Sequence, residues 1–341
     1  MKLGLGLGYW RGRPAPDMAE AVEAAEALGF DSLWTSEAYG SDALTPLAYW
    51  AAKTTRLRLG TAVVQMAART PAATAMAAMT LDHLSNGRLM LGLGISGPQV
   101  VEGWYGMPFS RPLARTREYV DIVRTVIRRE QPVEYHGTHY TLPYAGGTGL
   151  GKPLKSSIHP LRADLPILLA AEGPKNVALA AEIADGWLAF FYAPRHDDLY
   201  RRALNEGFSR PGARRSPDNF EVVGLVNVVL DDDVERAADQ LRPHLALYIG
   251  GMGSRDQNFH LNVFVRLGYE EVVRKVQDLY LSGCKKDAAA AIPTSLVEEV
   301  AVIGPSHKIR DELAVWRRSL LTTLVVSAPA HQLRTIAEIT T

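Results

Sequence analysis

The sequence predicts an α/β protein, a (β/α)8 TIM barrel with insertions, and three observations carry that prediction. Short apolar runs alternate with helical stretches whose apolar positions recur at three and four. The runs, such as Leu57 to Val64, are almost continuously apolar, which suits parallel strands covered on both faces by helices. There are eight of them in the chain, which fits a closed barrel better than the roughly six strands of an open doubly wound sheet. A length of 341 residues also exceeds the roughly 250 of a plain barrel and leaves room for insertions.

Lys2 to Gly8 is a glycine-interrupted strand, and Asp17 to Leu28 is the helix after it, stopped by Gly29. Phe30 to Thr35 and Leu57 to Val64 are the next strands, with a helix from Leu44 to Thr54 between them. A helix over Pro71 to Leu84 ends at Asn86-Gly87, Arg88 to Leu93 is a fourth strand, and Arg111 to Arg129 is a long amphipathic helix. From Pro132 to Pro166 periodicity fails, and YAGGTGLGKPLKSSIHP reads as a long loop. The rhythm resumes with Leu165 to Ala170, a helix from Pro174 to Glu182 and the strand Gly186 to Phe191. Glu221 to Leu230 is a seventh strand and Thr323 to Ser327 a late one. Between them lie helical stretches at Asp233 to Tyr248, Ser254 to Leu267, Val272 to Leu281 and Ile309 to Ser319, with a connector around 292–305. The expected organisation is one barrel domain over 1–341, with an irregular insertion around 132–165 and a second inserted region around 250–305.

Composition removes several function classes. The 37 basic residues are balanced by 37 acidic ones and form no cluster, so a nucleic-acid partner is not expected. No apolar stretch is long enough to span a bilayer, and the opening MKLGLGLGYW reads as a strand and not as a leader. A lone cysteine, Cys284, has no partner for an internal disulfide, which fits a reducing cytoplasm. The nine histidines lack metal-ligand spacing, and there is no G-x-S-x-G elbow, so neither a metal centre nor a serine hydrolase is expected.

In a parallel barrel, active groups gather where the strands end and the loops converge. That rule nominates Tyr9 and Trp10 after the first strand, Glu37 after the second, Thr61, Ala62 and Val63 at the third, Ser96 and Gly97 after the fourth, and Glu172 and Gly173 after the fifth. Glu37 either orients a proton or cofactor ring or serves as a loop carboxylate. Tyr9 and Trp10 are either a planar wall for a ligand or packing groups. In AEGPKNV, Gly173, Pro174, Lys175 and Asn176 open a helix where free amides can receive an anion, although Glu172 is awkward there unless its carboxylate turns away.

LGTAVVQMAARTPAATAMAAMTLDHLSNGRLMLGLGISGPQVVEGW resembles the luciferase-like flavin and deazaflavin oxidoreductases, and FDSLWTSEAYGSDALTPLAYWAA and ILLAAEGPKNVALAAEIADGWL strengthen the resemblance. GISGPQVVEGW is most similar to the branch that uses coenzyme F420. The resemblance implies a luciferase-like barrel, with cofactor phosphate near Ser96-Gly97 and the Glu172-Gly173-Asn176 segment. It places the ring over the barrel mouth beside Tyr9, Glu37 and the end of the third strand, and implies a non-prolyl cis bond between Ala62 and Val63. Where several relatives have a histidine, this chain has Ala38 after Glu37, so proton transfer passes to other candidates, Tyr39 and Asp42. Met66, Phe190 and Phe191 either shape the acceptor pocket or pack in the core. The expected function is hydride transfer between reduced F420 and a small organic substrate. The alternatives are an FMN-dependent reductase or monooxygenase, and a noncatalytic ligand-binding barrel. Helices on the barrel side permit a homodimer.

Overall fold

Glycines 4 and 6 in the first strand, β1 (Lys2–Gly8), leave its inner face bare while Leu3, Leu5 and Leu7 turn outward to the helices. A Cβ on Gly4 would stand 3.0 Å from the Trp34 ring nitrogen and 3.1 Å from Val325, so the glycine makes room for an indole inside a barrel. In the computed structural model, which describes residues 1–10 and 12–340, the following strands are β2 (Ser32–Thr35), β3 (Arg58–Thr61), β4 (Val64–Gln65) and β5 (Leu89–Gly94). A small hairpin, β6 (Tyr135–His136) and β7 (Thr141–Leu142), precedes β8 (Ile167–Ala170), β9 (Gly186–Phe190), β10 (Glu221–Leu230), β11 (Ala301–Gly304) and β12 (Thr323–Ser327).

Eight of these strands close on themselves in the order β1-β2-β3-β5-β8-β9-β10-β12, all parallel, with Lys2 beside Thr323 at the seam. They correspond to the eight apolar runs of the sequence. Trp34, Met90, Leu168, Leu188, Val223 and Val325 fill the bore, one from each of six strands. Gly92 is required here, because a Cβ would lie 1.8 Å from the Thr61 carbonyl. Thr61 itself is fully buried, donating to Gly92 O at 2.8 Å and accepting from Gly92 N at 2.9 Å.

The run Leu57 to Val64 departs from one continuous strand. β3 stops at Thr61, a cis peptide joins Ala62 to Val63, and β4 then pairs with β5. The 292–305 segment, expected as a connector, instead holds the helix Thr294–Val300 and β11, which pairs with the far end of β10 at Asn227 to Leu230. Its alternation of small and apolar residues is strand-like, but the preceding helix contributes only about two turns of periodicity. Further helices not foreseen lie at Pro98–Gly103, Asp197–Phe208 and Ala330–Thr340.

Outside the main core, a second apolar cluster unites the helices Val234–Ala246, Phe259–Arg266, Glu270–Leu281 and Thr294–Val300 around Phe264, Val273, Val276 and Leu296. Phe191 and Ala193 join it from the exit of β9, so this layer sits over one side of the mouth. Among the described residues, no helix is long and apolar enough to cross a membrane.

Candidate active site

The exits of the barrel strands surround a cavity of about 1020 Å³. Its floor carries Trp34, Ala62, Val63, Leu188 and Leu225, and its walls rise through the β5, β8 and β9 loops to the second helical layer. Two non-glycine residues beside this mouth are held in the left-handed backbone region, Ser96 at φ 58° and Phe191 at φ 52°. Strain of that kind persists where surrounding structure overdetermines the chain, commonly at ligand sites. Among the described residues, the cavity wall carries one lysine or arginine, Lys175.

Of the residues expected at the site, Tyr9, Glu37, Tyr39, Ala62, Val63, Ser96, Gly97, Glu172, Gly173 and Asn176 all line this cavity. Thr61 and Asp42 do not. Thr61 points into the barrel wall and is satisfied by Gly92, as described above. Asp42 turns its Oδ1 to the amides of Leu44 and Thr45, at 2.9 and 2.8 Å, which caps the following helix. Tyr39 is half exposed at the rim, with its hydroxyl 4.0 Å from the Met252 sulfur.

Glu37 leaves β2 with a carboxylate that is only 4% exposed and almost encircled by donors. Its Oε1 accepts from Arg69 Nη1 and from Gln65 N, both at 2.7 Å, and its Oε2 accepts from Ala43 N at 3.1 Å. Burial would lower the Arg69 pKa, but the hydrogen bond and charge of Glu37 outweigh it and hold it above the ordinary value. The Gln65 side chain donates to the carbonyls of Glu37 and Ala38, while its Oε1 is buried without a hydrogen-bond partner. Burial, then the nearby Glu37 charge, raises the Tyr105 pKa, and that hydroxyl donates to Ala38 O at 3.1 Å. Thus the β2 and β4 exits are braced as one unit, beside a buried acceptor, Gln65 Oε1, that has no partner.

On the other side of the mouth stands a pair that sequence reasoning missed. Glu172 Oε1 lies 2.7 Å from His260 Nδ1, while Glu172 Oε2 is buried without a partner. The Glu172 backbone carbonyl accepts from Arg266 Nη2 at 2.8 Å. The His260 ring meets Phe190, Phe191 and Tyr248 edge to face, at centroid separations of 5.9, 6.0 and 4.8 Å. His260 and Glu172 both line the cavity, as do Phe190 and Tyr248, whereas Phe191 packs into the second core behind them. Met66 is likewise buried in the main core and absent from the cavity wall. The available signal was the polar-aromatic character of Ser254 to Leu267, but nothing in the sequence links its histidine to a glutamate 88 positions earlier.

The luciferase-like monooxygenase family profile matches residues 5–323. A Mycobacterium tuberculosis protein assigned as a coenzyme F420-dependent oxidoreductase is 57% identical over 340 residues, covering 99% of this chain and 98% of its own. The phthiodiolone/phenolphthiodiolone dimycocerosates ketoreductase of the same organism is 30% identical, covering 77% of this chain and 67% of its own. Among solved structures, the F420-dependent tetrahydromethanopterin reductase of Methanopyrus kandleri superposes with a TM-score of 0.80 at 21% identity, covering 99% of this chain and 97% of its own.

Proposed function

The chain belongs to the luciferase-like monooxygenase family and is an F420-dependent oxidoreductase within it, and on that premise we propose that it reduces an uncharged, largely apolar carbonyl compound. The observation that carries the substrate reading is the cavity wall, apolar over most of its extent and with Lys175 as its one lysine or arginine among the described residues. A charged substrate would need more cationic or hydrogen-bonding partners than that wall offers. The kinship with a mycobacterial ketoreductase supports a ketone as the acceptor group.

The residues present fit the deazaflavin. The apolar floor at Ala62, Val63 and Leu225 suits a planar ring, and the buried Gln65 Oε1 offers an acceptor for a ring N–H. Gly173 has open space where a Cβ would project, so backbone there admits close approach. Ser96, Gly97, Lys175 and Asn176 supply hydroxyl, amide and ammonium donors for the phosphate. Glu172 does not oppose that anion directly, because its Oε1 is turned to His260. When bound, the reduced deazaflavin supplies hydride; the protein supplies alignment and exclusion of water.

In this reading Glu37 is a positioning residue: its carboxylate holds Gln65, Arg69 and the start of the helix Leu44–Ala51 beneath the ring bed. Asp42 serves that helix as a cap, and Tyr39 at the rim meets substrate. We place the enzyme in the reducing cytoplasm, where the exposed Cys284 stays a thiol, and take a homodimer through the barrel-side helices as its assembly. The segments 132–165 and 250–305 are insertions into one barrel domain in the same reading.

Spectral titration of the purified protein with oxidised F420 and, in parallel, FMN tests the cofactor reading. Tight F420 binding with weak FMN binding is expected. FMN binding without F420 binding would sink it.

A further inference from the structure

Ala38 leaves the β2 side of the mouth without a histidine, and the Glu37 carboxylate is already held by three donors. The cavity nonetheless has an imidazole. In the closed order β2-β3-β5-β8-β9, β9 lies four strands from β2, which in an eight-stranded barrel is the opposite side. His260 stands on that side, over Phe190 at the end of β9 and against Glu172 just beyond β8. His260 therefore reaches the cavity from the side opposite Glu37 and the β2 exit.

Resting on the ketone-reductase reading, we propose that His260 is the proton donor to the substrate oxygen and that Glu172 is its positioning residue. Nδ1 is committed to Glu172 Oε1 at 2.7 Å, which directs the other ring nitrogen, Nε2, to serve the cavity. The surrounding rings of Phe190, Phe191 and Tyr248 pack edge to face with the imidazole and hold its plane. The arrangement of an imidazole oriented by a carboxylate is one that general acid-base catalysis uses repeatedly.

The step balances as follows. The carbonyl carbon gains hydride from the reduced deazaflavin, its π pair moves to oxygen, and the oxygen takes the proton of His260 Nε2–H. The ketone becomes a secondary alcohol, the deazaflavin is oxidised, and His260 is left neutral with Nδ1–H donating to Glu172. In the reverse direction Nε2 accepts the alcohol proton. The charged and titratable groups around the pair include Lys175 on the helix Pro174–Ile183, Tyr200 on the helix Asp197–Phe208, His244 and Tyr248 at the end of the helical layer, and Arg266 on the same helix as His260.

Two measurements test the assignment. The first is reduction of acetone, cyclohexanone and 2-nonanone by the F420-loaded enzyme across pH. His260→Gln should lower kcat for a reduced ketone by about 100-fold and abolish the decline in rate expected of the wild type as pH rises, with the F420 Kd unchanged within about twofold. Glu172→Gln should lower kcat by about tenfold with KM nearly constant, while retaining a pH-dependent limb. The second needs no turnover. Imidazole 15N NMR of histidine-labelled protein should show neutral His260 protonated on Nδ1, and Glu172→Gln should disturb that tautomer preference. The proposal is overturned if His260→Gln keeps the wild-type rate and pH profile, if neutral His260 carries its proton on Nε2 in the wild type, or if none of the ketones is reduced. In the last case F420 binding in the same sample would leave the cofactor reading standing while removing the ketone and its proton donor together.

Discussion

At the N-terminal end of the barrel, Arg58 at the start of β3 donates to Asp31 through Nε and Nη2, at 3.0 and 2.5 Å, and to both oxygens of Glu221 at the start of β10, at 3.0 and 2.7 Å. Nearby, Asp185 collects Arg124, Arg214 and Arg215 together with the amide of Ile167. At the C-terminal end, by contrast, Gln65 Oε1 and Glu172 Oε2 are buried without partners, and Ser96 and Phe191 are held in the left-handed region. The same set of strands thus ends in ion-pair networks below and, at the cavity wall above, in unused acceptors and a strained exit. Unused polar atoms and strain cost stability; such features also occur away from the mouth, at Arg124 Nε and Asn86 for instance, but at Gln65, Ser96 and Glu172 they coincide with a cavity wall, where a ligand would complete the structure. Charge saturation at the other end marks where the barrel is held shut.

Breaking the lower network should give the largest loss of stability. Arg58→Met leaves Asp31 and Glu221 without the cation between them, and about 3 kcal/mol of unfolding free energy should be lost. Thermal or urea unfolding measures this. F420 affinity should stay within about twofold, since no atom of the cavity wall is touched. A large loss of F420 binding in Arg58→Met would erase the division between the two ends.

Glu37→Gln crosses that division, because Glu37 is a saturated carboxylate at the upper end that also lines the cavity. The variant leaves the Arg69 guanidinium without its buried counter-charge and forces an amide to face donors. A stability loss of about 2 kcal/mol is expected, together with an F420 Kd raised about tenfold as the Gln65 side of the ring bed loosens. Loss of stability with unchanged F420 affinity would make Glu37 a purely structural brace.

A smaller and more local effect is expected at Ser96. Ser96→Ala removes the hydroxyl and should raise the Kd of F420 about fivefold while affecting a deazaflavin without phosphate much less. Ser96→Gly also removes the hydroxyl but suits the backbone at φ 58°, so it should match Ser96→Ala in affinity and exceed it in stability. Equal losses for the phosphorylated and unphosphorylated ligands would reject a hydroxyl–phosphate contact.

The contrast also explains what the sequence made legible. Strands could be read because a parallel strand covered on both faces is apolar throughout, and the (β/α)8 order followed from counting them. The exits were legible by the same rule, which brought Tyr9, Glu37, Ser96 and Glu172 to one cavity. Roles were less legible, since they depend on partners distant in the chain. Asp42 is directed to a local helix cap, and Thr61 to a strand neighbour, by geometry that the residue type does not announce. His260 reaches Glu172 only through the packing of the helix Phe259–Arg266 over the mouth. The strand β11 escaped notice because four residues between helices carry too short a pattern to identify.

The smallest expected effect is a pH dependence belonging to the lower end. Burial would raise the Glu221 pKa, but the hydrogen bond and charge of Arg58, with help from Lys2 and Thr323, outweigh it and hold the carboxyl below its ordinary value of 4.5. A carboxyl depressed in the folded state contributes stability that is fully present above its unfolded value and is lost as pH falls through the folded value. Below about pH 4.5, then, the unfolded chain takes up a proton that folded Glu221 still resists, and the folded state loses its advantage progressively. Glu182, also held low by arginines, adds to the same slope. In Arg58→Met the Glu221 contribution to that slope should disappear, flattening the acid limb of Tm against pH by a shift on the order of 2 °C. Equal acid slopes in the two proteins would show that Arg58 does not hold Glu221 ionised, and the saturated character assigned to the lower end would have to rest on Asp185 and its three arginines instead.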